Sequence, residues 1–502
     1  MIKKLFSPKV IVFLAVIFSF NALYYSFING YILTYNDAAS HLNISRRVID
    51  NLTPGIAQIG TVWLPLPHVL MLPFAANDFL WNTGLAGSIV SMAAYVLCVY
   101  FVFKLIMLIT KSNIGAFMGA SIMALNPNLL YLQTTPMTEP LLVAMIMMSL
   151  YFFAKYLSSN DFNDLILCGA SVALSTLIRY DGWFLFFSMM ILLPATVWKL
   201  YGRKKMEGVF ILFSVSAGFG IFLWVLWNLM IFGDPLYFAF GPYSAYAQQR
   251  VLKDVGQLPT EGNLFNTLYY YFWAMVDNNG MILLLMAVAC LLILPFIIKQ
   301  KRYLVVILAV LSPIIFNIIA LYEGQSAMNV PQALSNPGMF NIRYGLMALP
   351  AIAVIIGIIC SHNFLRHVVL VLFIFQGYLF IRAGTPVSLA DGLHGLNDTY
   401  YTVEASKWLR ENYKGGLILT SLASHDAFVN RAQIPMKNYI HEGTRENWTE
   451  ALRWPGDTVQ YIAALSFPPD RVYKEIYNNE SFKKNYKVIH SYGKFSIYER
   501  SD

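Results

Sequence analysis

Apolar runs of roughly 18 to 25 residues recur along most of this chain, each long enough to cross a bilayer as a helix. Such runs leave little structural choice, because a backbone surrounded by lipid must satisfy its own hydrogen bonds. About eleven fall at 9–30, 83–108, 113–132, 140–157, 163–178, 183–200, 207–231, 280–298, 303–321, 343–360 and 367–383. Only 12% of the residues are charged, about half the share of a soluble domain, and the mean hydropathy is +0.55. The sequence therefore reads as an α-helical polytopic membrane protein.

The net charge of +8 does not point to nucleic acid, because of where the charge lies. Basic clusters at 3–4, 202–205, 299–302 and 365–367 flank apolar runs, which is the pattern that marks cytoplasmic loops. The first run has a basic flank without a small-residue cleavage site and reads as an uncleaved anchor. With the N-terminus inside and an odd number of spans, the C-terminus lies outside. The loops 31–82, 232–279 and 322–342 then face outward, as do the turns around Glu139 and Arg179. Cys98, Cys168, Cys290 and Cys360 all sit inside apolar runs and read as buried small hydrophobes rather than a disulfide or metal framework.

Residues 1–383 form the expected membrane domain, and 384–502 differ in kind. "YTVEASKWLREN" has the pattern of an amphipathic helix, and "GGLILTS" and "DTVQYIAALSF" those of strands. "YKVIHSYGKFSIYER" reads as a closing hairpin turning near Tyr492 and Gly493. Alternating helix and strand predicts a small extracytoplasmic α/β domain.

Chemistry-bearing residues collect on the expected outer side. "YNDAASHLNISRR" follows the first span, and its helical spacing puts Asp37 and His41 on one face. The following stretch, apolar and rich in proline, predicts interfacial helices with Trp63 at headgroup depth. Glu139 opens an apolar helix just before Pro140, where an acid also suits the helix dipole. "RYDGW" places Arg179, Tyr180 and Asp181 at another outer boundary, either as a local ion pair or as an anion site. "NIRYG" repeats the theme with Arg343 and Tyr344; the arginine either snorkels to the interface or neutralises a phosphate. His68 with Asp37 and His41 is a set of imidazole and carboxylate groups that suits a divalent metal ion, though no tight metal motif is present. There is no P-loop, no dinucleotide fingerprint and no HExxH, which argues against ATP-driven transport by this chain alone.

Taken together, Asp37 after the first span, Glu139 at an outer helix start, "VWLPLPH", "RYDGW", "NIRYG" and the outer C-terminal domain resemble the GT-C glycosyltransferases. The resemblance is to the branch of protein O-mannosyltransferases and aminoarabinose transferases, and the architecture covers the whole chain. Two features depart from it: Asp37 is followed by Ala38 rather than a second acid, and the C-terminal domain is α/β rather than β-rich.

The resemblance implies an inverting transferase of the cell envelope that takes a sugar from polyprenyl phosphate. Asp37 would be the base, and Arg343 and Arg179 would stabilise the departing phosphate. Glu139 and His41 would orient the reactants. The acceptor would be a lipid, glycan or protein. A lipid-linked polysaccharide polymerase or ligase is the nearest competing reading, and a transporter or flippase a more distant one. A transporter should show internal repeats, which are not evident.

Overall fold

Every expected run is helical in the computed structural model, which describes residues 6–60, 62–254, 256–333, 338–466, 470–477 and 479–501. Lys3 and Lys4 of the first basic cluster, residues 334–337 of the third expected outer loop and residue 467 of the second expected strand lie outside those described. Among the described residues, eight helices are long and apolar enough to span: Pro8–Ile28, Leu85–Thr110, Glu139–Ser159, Asp181–Tyr201, Arg203–Phe232, Lys301–Tyr322, Ile342–Ile359 and Asn363–Asp398. A ninth would be the pair Leu264–Asn279 and Met281–Ile297, which meet at a bend of 110°. The expected runs 113–132 and 163–178 contain the helices Asn113–Ala124 and Phe162–Thr176, of 12 and 15 residues. At 1.5 Å per residue each falls short of the ~30 Å hydrocarbon thickness.

The contacts divide the chain into two units. The first comprises Met1–Tyr31, Thr61–Leu66 and Ile89–Asp391. Its helices pack through small residues, as expected where lipid supplies no hydrophobic drive for association. Gly115 and Gly119, one turn apart, meet the Leu349–Ile359 helix so closely that added Cβ atoms would lie 2.6 Å from the Gly357 carbonyl oxygen and 2.7 Å from that of Ala353.

The second unit comprises Ile32–Gly60, Pro67–Ser88 and Gly392–Asp502. Its sheet contains β1 (Leu417–Thr420), β2 (Tyr439–Ile440), β3 (Val459–Leu465), β4 (Tyr486–Tyr492) and β5 (Phe495–Arg500), in the order β2-β1-β3-β5-β4. β1 runs parallel to β2 and β3, whereas β5 pairs antiparallel with both β3 and β4. The expected hairpin is thus β4–β5, turning through Gly493 at φ +57°. The expected amphipathic helix is Tyr400–Asn412, and it buries Thr402, Ala405, Ser406 and Leu409 at helical spacing. The core joins Leu419, Ile440, Trp448, Val459 and Ile462, with Leu52 of the loop after the first span packed against it. That loop also brings the helices Asn36–Arg46, Leu66–Ala75 and Asp78–Thr83 into this unit.

Candidate active site

In the first unit, three helix starts bring charge together. Glu139 is completely buried at the N-terminus of its helix, and its Oε1 accepts from Arg179 Nη1 at 3.2 Å and from Arg343 Nε at 3.1 Å. Arg179 Nε also donates to Asp181 Oδ2 at 3.2 Å, and Asp181 Oδ1 accepts from Asn317 Nδ2 at 3.2 Å. Both guanidinium groups lie over the Tyr344 ring, with their carbons 5.1 and 5.2 Å from its centroid. Burial pulls the Arg179 guanidinium down, but Asp181 and Glu139 more than offset this and hold it above the ordinary arginine value. Formally the two arginines and two acids cancel, so the cluster can exist at low dielectric. An arriving phosphate would meet two pre-oriented guanidinium groups, the planar donors best matched to it.

Sequence reasoning anticipated Glu139, Arg179, Asp181, Arg343 and Tyr344, and the structure brings these together. Tyr180 turns elsewhere: its hydroxyl donates to the Val62 carbonyl at 3.0 Å, and its ring stacks on Phe238. Trp63 is half-buried in the adjoining stretch. Asn317 was missed. Its signal was a lone amide inside the apolar "SPIIFNIIALY", where a polar side chain needs a reason.

In the second unit, Asp37 lies half-buried in the first turn of Asn36–Arg46, and His41 follows one turn later, buried. His41 Nδ1 lies 2.9 Å from His68 Nε2, and Ser45 Oγ donates to the His68 carbonyl at 2.9 Å. Burial, with His41 and Arg47 adding to it, pulls His68 well below the usual imidazole range. The histidines are thus engaged with each other. Among the described residues no three His, Cys, Asp or Glu side chains converge as a metal set, so Asp37, His41 and His68 do not assemble as one. Arg46, from the same ionisable stretch, is structural. It donates to Asp50 at 2.9 Å, to Asp78 at 2.6 Å and to the Ala75 and Ala76 carbonyls, and stacks over Trp81.

A second histidine environment makes this unit acid-sensitive. His441 is buried, accepts from Gly443 N at 3.0 Å and sits 3.3 Å from Asn51 Nδ2; burial, with Arg47, pulls its pKa down to about 3. The unfolded chain would protonate it near 6.5 while the fold keeps it neutral, so stability is lost as pH falls below that value. Asp426 opposes this. Burial raises its carboxyl to about 6, so the fold takes up that proton before the unfolded chain does. His68 and His441 both act in the destabilising direction as pH falls, and Asp426 alone acts against them. The melting temperature of the purified chain should therefore fall between about pH 7 and pH 4.5, with a shallower slope for His441→Gln. An unchanged slope in the variant would remove His441 from this account.

Residues 78–227 match the family profile described as dolichyl-phosphate-mannose-protein mannosyltransferase. A comparison with curated proteins finds no match. Among solved structures, the chain is similar to ArnT from Cupriavidus metallidurans bound to undecaprenyl phosphate. That match has a TM-score of 0.58 and 12% identity, covering 96% of this chain and 97% of the other. It is also similar to the Archaeoglobus fulgidus oligosaccharyltransferase in complex with zinc and sulfate, with a TM-score of 0.51 and 13% identity over 95% of this chain and 71% of that one. A third is AglB from the same archaeon with an inhibitory peptide and a dolichol-phosphate, with a TM-score of 0.51 and 12% identity over 99% and 74%. With its spanning helices and small C-terminal sheet, this chain is an integral membrane protein with the fold of the GT-C glycosyltransferases.

Proposed function

We propose that this chain is an inverting glycosyltransferase that moves a sugar from a polyprenyl-phosphate carrier to a hydroxyl of a lipid, glycan or protein acceptor at the outer face of a prokaryotic plasma membrane. The observation that carries this reading is the buried Arg179–Glu139–Arg343 cluster within a GT-C fold. Support comes from the undecaprenyl phosphate of ArnT and the dolichol-phosphate of AglB, both carrier lipids. The orientation rests on the basic clusters around Arg203 and Lys301, with the N-terminus inside.

Asp37 takes the proton from the acceptor hydroxyl as its oxygen attacks the anomeric carbon. The bond from that carbon to the phosphate oxygen breaks, and its electron pair leaves on the phosphate. Products are the glycosylated acceptor, with inverted anomeric configuration, and polyprenyl phosphate. Arg179 and Arg343 stabilise the charge growing on the leaving phosphate. Glu139 holds both guanidinium groups, and His41, leaning on His68, orients the helix that carries Asp37.

The test uses purified chain in lipid with a panel of radiolabelled polyprenyl-phosphate sugars and an envelope extract as acceptor. Label should move to the extract with one inversion, read from the anomeric configuration of the product. Retention of configuration would rule out direct displacement. Downhill movement of the intact carrier across a vesicle wall, without transfer, would favour a flippase.

A further inference from the structure

We propose that a cavity in the first unit binds the primary ammonium head group of a membrane lipid. Its lining shares no residue with the Arg179–Glu139–Arg343 cluster, and the proposal does not depend on the transfer reaction. The cavity has a volume of about 350 Å³ and lies where Leu264–Asn279 bends into Met281–Ile297, beside the last turns of Asn363–Ala383. Its floor is built tightly. Gly280 has φ +85°, and a Cβ there would lie 2.2 Å from Gln376 Cδ, so only glycine lets the bend close on that side chain. Gln376 is buried, and its Oε1 accepts from Ile282 N at 3.1 Å, which ties the floor to the start of the second helix.

Two of the polar side chains lining this space, Asp277 and Gln332, offer acceptor oxygens. Asp277 is the only charged residue among the described residues lining the cavity. Its two oxygens receive a single amide, Gln332 Nε2, at 3.2 and 3.1 Å. Gln332 Oε1 is buried and has no hydrogen-bond partner among the described residues. A carboxylate with no cation in its cavity, next to an orphan amide oxygen, calls for a cationic group with several N–H donors. A phosphate has no basic side chain to meet here.

The walls say where such a group comes from. Met281, Leu379 and Phe380 line the cavity, and the helix bearing the last two is apolar yet buries only Val369 and Gln376 along Asn363–Ala383. Phe375, Tyr378 and Ile381 stand 49%, 52% and 81% exposed on that helix. In an integral membrane protein this face meets acyl chains, and its outer end meets head groups. An amphiphile can therefore lay its tails along this helix and put its head into the cavity. A primary ammonium offers three N–H donors to the two acceptors, whereas a quaternary ammonium offers none.

The full-length chain, purified in detergent and stripped of lipid, would be given equimolar phosphatidylethanolamine, phosphatidylcholine and phosphatidylglycerol. Native mass spectrometry then reads which lipids stay bound. Ethanolamine lipid should be retained about ten-fold over choline lipid, the scale of one charge-assisted hydrogen-bond set. Asp277→Asn should abolish that preference and Gln332→Ala should weaken it, with total bound lipid unchanged. The Gln332 variant carries the test if Asp277→Asn does not fold. Equal retention of the three lipids by the wild type, a preference for phosphatidylglycerol, or a preference that survives in every folded variant would overturn the proposal.

Discussion

Asp37→Asn is expected to lower glycosyl transfer at least about 100-fold, the low end of what a positioned general base contributes. Asparagine keeps the size and planar shape of the side chain and is tolerated in the first turn of a helix, so Asn36–Arg46 should still form. What disappears is the ability to take a proton. Other residues of the helix supply several of the hydrogen bonds that fasten it within its unit. Asn43 Nδ2 donates to Asp426 Oδ1 at 2.7 Å, Arg46 bridges to Asp78, and Asn36 Oδ1 accepts from Arg431 at 3.0 Å. The variant should therefore melt within about a degree or two of wild type. It should also bind polyprenyl phosphate as tightly, because that anion is assigned to the arginines. Full activity in a folded Asp37→Asn protein would mean that another group takes the proton, with Glu139 the next to test. Weakened binding of the carrier with an unchanged turnover would make Asp37 a substrate ligand instead.

The same stretch shows what a sequence can and cannot say about such a protein. The helices were legible because lipid admits almost nothing else, and the strands β1, β3, β4 and β5 because alternation and glycines marked their ends. The cluster of ionisable residues after the first span read as one chemical feature. It separates into parts: Arg46 is a staple across the loop after the first span, His41 pairs with His68, and Asp37 is a half-buried acid in the first turn of its helix. The partners that decide this lie far along the chain. Asn43 and Asp426 are 383 residues apart, and Asn51 and His441 are 390 apart. No local periodicity carries such pairings. Nor could spacing reveal that Glu139, Arg179 and Arg343, each at the edge of a different helix, share one carboxylate oxygen. Each alone had an adequate local explanation in the helix dipole, an ion pair or snorkelling. Asn317 and Gln332 left fainter marks, a polar residue in an apolar run and a glutamine in a loop.

Removing the carboxylate at position 139 should have two separable effects. Arg343 is almost completely buried and Arg179 largely so, their side chains 5% and 19% exposed, and Glu139 is the acid that both share. In Glu139→Ala that shared charge is gone, and Arg343 loses its Nε contact with it at 3.1 Å. Breaking a buried ionic arrangement by deleting one partner costs about 3 kcal/mol or more, so the variant should melt several degrees lower or fail to accumulate. Glu139→Gln preserves shape and one acceptor oxygen while taking away the charge. The two guanidinium groups then lack a compensating anion between them, and an incoming phosphate becomes that anion. Polyprenyl phosphate should inhibit Glu139→Gln more strongly than wild type, with kcat falling more than kcat/KM because the product leaves slowly. If Glu139 instead took part in proton transfer, Glu139→Gln would lose kcat and kcat/KM together and product inhibition would be unchanged. If the cluster only braces the helices, Glu139→Gln would lower the melting temperature and leave both product inhibition and turnover near wild type. The inhibition constant for the carrier phosphate distinguishes these cases, since only an anion that occupies the place between Arg179 and Arg343 gains from the missing charge.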